Sequence, residues 1–134
     1  MPRHPKPLDP RDRPRQPSPP VQELLRRLSL NDERTVRGVL GGAPTGAPTL
    51  DRKTEALVRL AGLLASGAPT ASCRVAVETA RAARASDDEI VSVLVAIAPA
   101  LGAARLVAAV PALALAIDYA IDQAVDQTIA NDED

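Results

Sequence analysis

The chain has 134 residues, which is the length of one ordinary domain. Its formal net charge at pH 7 is -1, so composition gives no general attraction for nucleic acid or for an acidic membrane surface. A single cysteine excludes an internal disulfide framework, and the polar N-terminus lacks the apolar segment of a signal peptide, so we expect a cytoplasmic protein.

Aliphatic side chains must supply the whole core of this protein. Hydrophobic residues make up 46% of the chain but aromatic residues only 1%, with no Phe and no Trp. Small aliphatic side chains each remove little apolar area from water, at about 25 cal/mol per Å². A domain of this size would gain stability by burying a second face against copies of itself, so we expect a homo-oligomer.

Residues 1–20 contain eight of the thirteen prolines, several basic residues and almost no apolar ones. Such a segment cannot offset the entropy lost on ordering, so we predict a disordered tail rich in Pro and Arg. It could be a solubilising tail or a basic arm that contacts nucleic acid or another partner. The lack of aromatic residues that stack on bases favours the solubilising tail, and we predict no nucleic-acid binding.

Two short helices are predicted after the tail. Ser18 followed by Pro19 is typical of a helix start, and it leads into a stripe of leucines. Either Asn31 or Asp32 can cap a second helix, which a pair of glycines ends. The run GGAPTGAPT that follows predicts a flexible connection.

The third and fourth helices have clear start and stop signals. Asp51 caps the third helix, whose leucines recur at spacings of three and four, and Gly67 ends it. A fourth helix is expected to start at Pro69 or Thr70 and to run to about Arg84.

The sequence SDDE at residues 86–89 is the strongest local signal in the chain. It predicts a capping box in which the Ser86 side chain and the Glu89 side chain each bond the other residue's backbone N–H. The apolar residues of the fifth helix that begins here cover more than one side, so we expect it to be the central buried helix, with a kink at Pro99.

Residues 90–117 are almost wholly apolar and exceed the length of about 20 residues that crosses a bilayer. Polar and helix-breaking residues within the run favour shorter, buried helices and no contact with a membrane: Ser92, Pro99, Gly102, Arg105 and Pro111. We expect a sixth helix after Gly102 and a seventh after Pro111. The apolar side predicted for the seventh helix consists of Leu115, Ile117, Ile121, Val125 and Ile129.

Three aspartates repeat every four residues along that seventh helix, at Asp118, Asp122 and Asp126. A row of carboxylates could indicate a divalent cation, but hard cations need ligands that converge from several elements. We therefore interpret the row as a solvated face and predict no metal site.

The order of these signals resembles the carboxymuconolactone decarboxylase family, which includes the alkylhydroperoxidase D-like proteins. The similarity covers roughly residues 50–120 and consists of an L-D-x-K-T start, a break near Gly67, an S/T-acidic-acidic-E-I cap and a Gly-containing break after the long helix. The resemblance implies an all-α, alkylhydroperoxidase D-like bundle of about six to seven helices over residues 21–130, with an acidic tail end at 131–134. It also implies assembly as a trimer or hexamer.

The resemblance implies chemistry of two kinds, and we expect no cofactor. Alkylhydroperoxidase D-like members carry C-x-x-C, a His four residues after the second Cys, and a Glu on the preceding helix. The two thiols can form a disulfide, while the Glu and His move the proton that turns a thiol into the attacking thiolate. Decarboxylase members use a His with polar partners as acid or base.

In this chain no alignment places the family's full set of reactive groups on the corresponding positions. The family Glu falls on Ala56, and the only histidine, His4, lies in the predicted tail. The chain allows three alignments, and in each we give the two Cys positions followed by the His position. Counted from Gly67, they are Ala68, Ala71 and Val75; counted from SDDE, they are Pro69, Ser72 and Ala76. With the cysteine of this chain as the second thiol, they are Thr70, Cys73 and Val77.

Cys73 is the remaining candidate for chemistry. It lies in the first turn of the predicted fourth helix, where the helix dipole lowers a thiol pKa, and Arg74 is adjacent. A peroxidase or redox sensor with one thiol would have Arg74, Glu55 and Glu78 as its nearest polar groups. The alternative is that Cys73 is a small buried apolar residue.

Three hypotheses follow from the sequence. The first is a non-catalytic, oligomeric binding or scaffold subunit that has kept the family fold, with an unidentified small-molecule ligand. The second is an active protein. It would use Cys73 as an oxidoreductase with peroxiredoxin activity or as a redox sensor, or it would be a decarboxylase-like lyase. In the third, the N-terminal arm and first two helices recruit the core to a partner, and the oligomer supplies multivalency.

Overall fold

The computed structural model describes residues 1–7, 9–11, 15–119 and 128–132, and these residues form helices and no strands. The all-α prediction is confirmed. A short helical stretch lies at 128–132. The longer helices are α1 (Pro19–Ser29), α2 (Glu33–Leu40), α3 (Arg52–Ser66), α4 (Thr70–Ala82), α5 (Asp87–Leu101) and α6 (Ala103–Ala116).

The chain divides into two compact units, Met1–Thr49 and Leu50–Asp134, where the sequence indicated one helical domain from residue 21. In the first unit α1 packs against α2, and neither helix contains a fully buried residue. Asp32, rather than Asn31, caps α2, because its carboxylate accepts a hydrogen bond from the Thr35 backbone N–H at 3.0 Å.

The second unit contains an aliphatic core made by α3, α4, α5 and α6. Helix α3 packs against each of the other three helices. Among the described residues no polar or charged side chain is buried. The largest side chains with almost no exposed surface are Leu60, Val77, Cys73, Ile90 and Leu113.

Helix α5 is not the central buried helix that its apolar sequence predicted. Only Ile90, Val93 and Leu94 of this helix are buried, while 73% of Val95 is exposed. Its apolar residues cover more than one side, but α3 and α6 cover mainly one of them within this chain. The prediction was wrong because periodicity shows that a side is apolar without showing that anything packs against it.

Local hydrogen bonds start α3 and α5, and a glycine ends α3, where the sequence indicated. The Asp51 carboxylate accepts from the Thr54 backbone N–H at 2.7 Å, and Gly67 ends α3 with a left-handed φ of 71°. Ser86 and Glu89 form the predicted capping box, with both hydrogen bonds at 3.1 Å. The other carboxylate oxygen of Glu89 lies 2.9 Å from Lys53 Nζ, which connects the starts of α3 and α5.

Pro111 does not begin a seventh helix, because α6 continues through it to Ala116. Proline removes the hydrogen bond to the carbonyl four residues earlier, here that of Val107. Both residues are exposed, so water can donate to that carbonyl instead. The chain leaves the helix at Asp118, where φ is 60°.

The apolar side predicted for the seventh helix is therefore corrected. Leu115 belongs to α6 and is 56% exposed, and Ile117 is the C-cap of α6. Ile129 lies in the stretch 128–132 and is 55% exposed, whereas Ile121 and Val125 lie outside the described residues. In the part of the chain that the structure describes, no helix has the length and apolar character to cross a membrane.

Candidate functional site

Cys73 lies in the aliphatic core and has no exposed surface. Its Sγ makes one long contact, donating to the Ala68 carbonyl oxygen at 3.9 Å. Burial raises the pKa of the Cys73 thiol, which is opposite to the direction that the position in the first turn of α4 suggested. The thiol is therefore protonated at neutral pH and shielded from solutes.

Arg74 follows Cys73 in sequence but binds the end of α6. Its Nη2 donates to the Leu115 carbonyl oxygen at 2.8 Å, and its Nη1 lies 2.9 Å from Asp118 Oδ1. A cation at this position stabilises the negative C-terminal end of a helix. The contacts of Arg74 are those of a structural residue.

The two glutamates suggested as helpers of the thiol also lie elsewhere. Glu55 forms an ion pair with Arg59 one turn along α3, at 2.8 Å. Glu78 is exposed on α4, and its side chain makes no hydrogen bond with any described residue. The structure brings neither glutamate into hydrogen-bonding contact with Cys73.

The positions where the resemblance expects reactive groups lie partly in the core. Ala56 and Ala76 are 4% and 8% exposed, and Val77 has no exposed surface. Val75 is 67% exposed, so the alignment counted from Gly67 puts the His position on the outside of α4. Apart from Cys73, these buried positions hold side chains that can neither donate nor accept a proton.

The described residues contain no group of three or more His, Cys, Asp or Glu side chains that could hold a metal ion. Asp118, from the predicted carboxylate row, is paired with Arg74. Asp122 and Asp126 lie outside the described residues.

The family model of the carboxymuconolactone decarboxylase family matches residues 34–115 of the chain. The chain belongs to this family. No curated protein and no solved structure matches it. The match begins within α2 and ends one residue before the end of α6, so it extends further toward the N-terminus than the resemblance over residues 50–120 indicated.

This member of the carboxymuconolactone decarboxylase family has a charged cavity of about 410 Å³ between α3 and the end of α4. Ala56, where the family Glu falls, is one of its lining residues, and the other small ones are alanines as well. The polar residues that line it are Arg52, Glu55, Arg59, Thr79 and Arg84.

Sequence reasoning missed the three arginines of this cavity, although part of the signal was present. Arg52, Glu55 and Arg59 are spaced by three and four, which places them on one side of a helix. Arg84 comes from the end of a different helix, and no spacing in the sequence connects it with α3. Only the packing of α3 against α4 brings these residues to one cavity.

A second concavity, of about 320 Å³, lies between α5 and α6, and its lining among the described residues consists of apolar side chains and one tyrosine. The described part of this lining offers no carboxylate, imidazole or cationic group for acid–base chemistry. The residues on its rim that are exposed are Val91, Val110 and Tyr119.

Proposed function

We propose that this protein is a non-catalytic, self-associating scaffold subunit of the carboxymuconolactone decarboxylase family. The observation that carries the proposal is the apolar character of the exposed sides of α5 and α6. An apolar surface of this kind on a soluble protein typically marks a site of association.

The apolar surface of α5 and α6 has very few polar groups. Beyond the first turn of α5, the polar side chains of these two fully described helices are Ser92 and Arg105, and the Ser92 hydroxyl donates to the Asp88 carbonyl oxygen at 2.7 Å. A helix that is apolar on all sides is normally covered on all sides. The large exposed side chains are Val91, Val95, Val107, Val110 and Leu115.

A second copy of the chain is the occupant that fits this surface best. A helix pair with Ala and Val on its outer side allows close approach of an identical pair, and both copies would then bury the same residues. With Arg105 as its one cation, the surface has little to attract acidic lipids or nucleic acid. A trimer or hexamer, the assemblies that the family resemblance implies, would bury it.

The location of Cys73 supports the non-catalytic part of the proposal. A peroxidase needs an exposed thiolate with an acid or base in reach, and the thiol here is buried, with its pKa raised. We also propose a cytoplasmic location, for which a lone cysteine is typical.

Native mass spectrometry and analytical ultracentrifugation test self-association. We expect the full chain to form an oligomer, and we expect Val95→Asp and Val107→Asp to reduce it to monomers with unchanged helical content by circular dichroism. Val75→Asp is the matched control, because Val75 is similarly exposed but lies on α4. A monomeric wild-type chain at micromolar concentration would contradict the proposal.

Consumption of an organic hydroperoxide tests catalysis. We expect no turnover above the rate in buffer, for the wild-type chain and for Cys73→Ala and Cys73→Ser alike. Turnover by the wild-type chain that both variants lose would show that the protein is a peroxidase with one thiol.

A further inference from the structure

The cavity between α3 and the end of α4 carries a net positive charge. Among the described residues, three guanidinium groups and one carboxylate line it. The carboxylate of Glu55 is paired with Arg59 at 2.8 Å. The guanidinium groups of Arg52 and Arg84 form no hydrogen bond or ion pair with any residue that the structure describes. Two cations without partners therefore face the same concavity, which concentrates positive potential there.

Arg84 has a backbone conformation that its residue type does not favour. Its φ is 69°, and its N–H donates to the Arg81 carbonyl oxygen just past the end of α4. Glycine usually occupies this position, since other residues meet a steric cost there. The other non-glycine residues with positive φ in the described ranges are Asn31 and Asp118, which are types that tolerate it better.

An unfavourable residue at an unfavourable backbone position calls for a reason beyond the fold. Replacement by glycine would relieve the backbone and remove an exposed side chain whose guanidinium has no partner among the described residues. The Arg84 guanidinium, which lines the cavity, is therefore expected to have a ligand outside the chain as its partner.

We propose that this cavity binds a small molecule that carries a phosphate group. Guanidinium groups bind phosphate oxygens through paired, charge-assisted hydrogen bonds. A phosphate monoester has up to two negative charges and three acceptor oxygens at one centre, which matches two unpaired cations and a third shared with Glu55. The alanine walls leave room for a short organic body in about 410 Å³.

The site is suited to binding and not to cleavage of such a ligand. Glu55 is engaged with Arg59, and the Thr79 hydroxyl donates to the Val75 carbonyl oxygen at 3.0 Å. The cavity lining contains no His and no Cys. This inference depends only on the cavity, so it stands or falls independently of self-association.

Titration of the full chain with inorganic phosphate, followed by ¹H–¹⁵N chemical shifts at constant ionic strength, tests the proposal. We expect saturable shifts centred on residues 52–59 and 79–84. Arg84→Gly should weaken binding at least tenfold while the melting temperature stays equal or rises. Glu55→Gln, which frees Arg59, should tighten binding.

Arg15→Ala is the matched control, because it removes the same charge from an exposed residue of the first unit. We expect it to change the affinity for phosphate less than twofold. The proposal is overturned if shifts fail to saturate, if Arg84→Gly and Arg15→Ala weaken binding equally, or if malonate binds at least as tightly as phosphate.

Discussion

Arg74 on α4 holds Asp118 at the end of α6, with 2.9 Å between Nη1 and Oδ1, and it also donates to the Leu115 carbonyl oxygen at 2.8 Å. Arg81, two turns further along α4, donates to the Ile117 carbonyl oxygen at 3.5 Å and forms two hydrogen bonds to Asp87. Two arginines of one helix thus donate to carbonyl groups at the end of another helix, where the Leu115 carbonyl oxygen also accepts from the Asp118 backbone N–H at 3.2 Å.

Arg74→Ala should lower the free energy of unfolding by about 1 kcal/mol, because a charge-assisted hydrogen bond to a helix end is lost. Urea denaturation measures the change. Arg37→Ala is the control, since the pair with Glu33 joins two exposed residues of one helix, and such pairs contribute little. An equal effect of both substitutions would show that Arg74 has no special role at the end of α6.

The Cys73 thiol should react with a disulfide reagent at least a hundredfold more slowly in the native protein than in urea. Its side chain has no exposed surface, and burial raises its pKa. The rate of labelling with 5,5′-dithiobis(2-nitrobenzoic acid) measures this difference. Rapid and complete labelling without denaturant would contradict the buried position and reopen the peroxidase hypothesis.

The second unit should lose stability in acid through Glu89. Its pKa lies below the ordinary value of 4.5 because the Lys53 ammonium and the Ser86 backbone N–H bind the charged form. Between the folded pKa of Glu89 and about 4.5, the unfolded chain therefore binds more protons than the folded chain. The free energy of unfolding falls as the pH drops through this range, and below the folded pKa the stabilisation by Glu89 is lost.

Urea denaturation of Glu89→Gln between pH 7 and pH 3 measures that contribution. We expect the substitution to lower stability at pH 7 and to flatten its decline in acid. Asp88→Asn is the control, because it removes a carboxylate of the same turn whose side chain forms no hydrogen bond or ion pair with the described residues, and we expect Glu89→Gln to flatten the decline more. A parallel decline in Glu89→Gln would exclude Glu89 as the source.

Two glycines, one inside α3 and one at its end, should respond in opposite directions to alanine. Gly62 lies inside α3 with open space where an alanine Cβ would lie, so Gly62→Ala should raise the free energy of unfolding by about 0.5–1 kcal/mol. Gly67 has a φ of 71°, so Gly67→Ala should lower it by about 1 kcal/mol. Thermal unfolding of the two variants measures both changes in stability. A loss of stability in Gly62→Ala would disprove the first expectation.

The helices were predictable where their signals are local. Asp51, Gly67 and the capping box of Ser86 and Glu89 act through hydrogen bonds or backbone conformation within one turn, so the sequence contains all the information that they need. The resemblance to the carboxymuconolactone decarboxylase family rested largely on the order of these same signals, and the family match over residues 34–115 agrees with it.

Only the tertiary structure decided which apolar sides are covered and which charges share a cavity. The sequence could not show that Val95 is exposed, that α6 continues through Pro111, or that Cys73 is buried with a raised pKa. The exposure of Val95 and the burial of Cys73 depend on helices that lie far apart in the chain. The same reason explains the cavity: spacing placed Arg52 and Arg59 on one side of α3, but Arg84 reaches it only because α3 and α4 pack together.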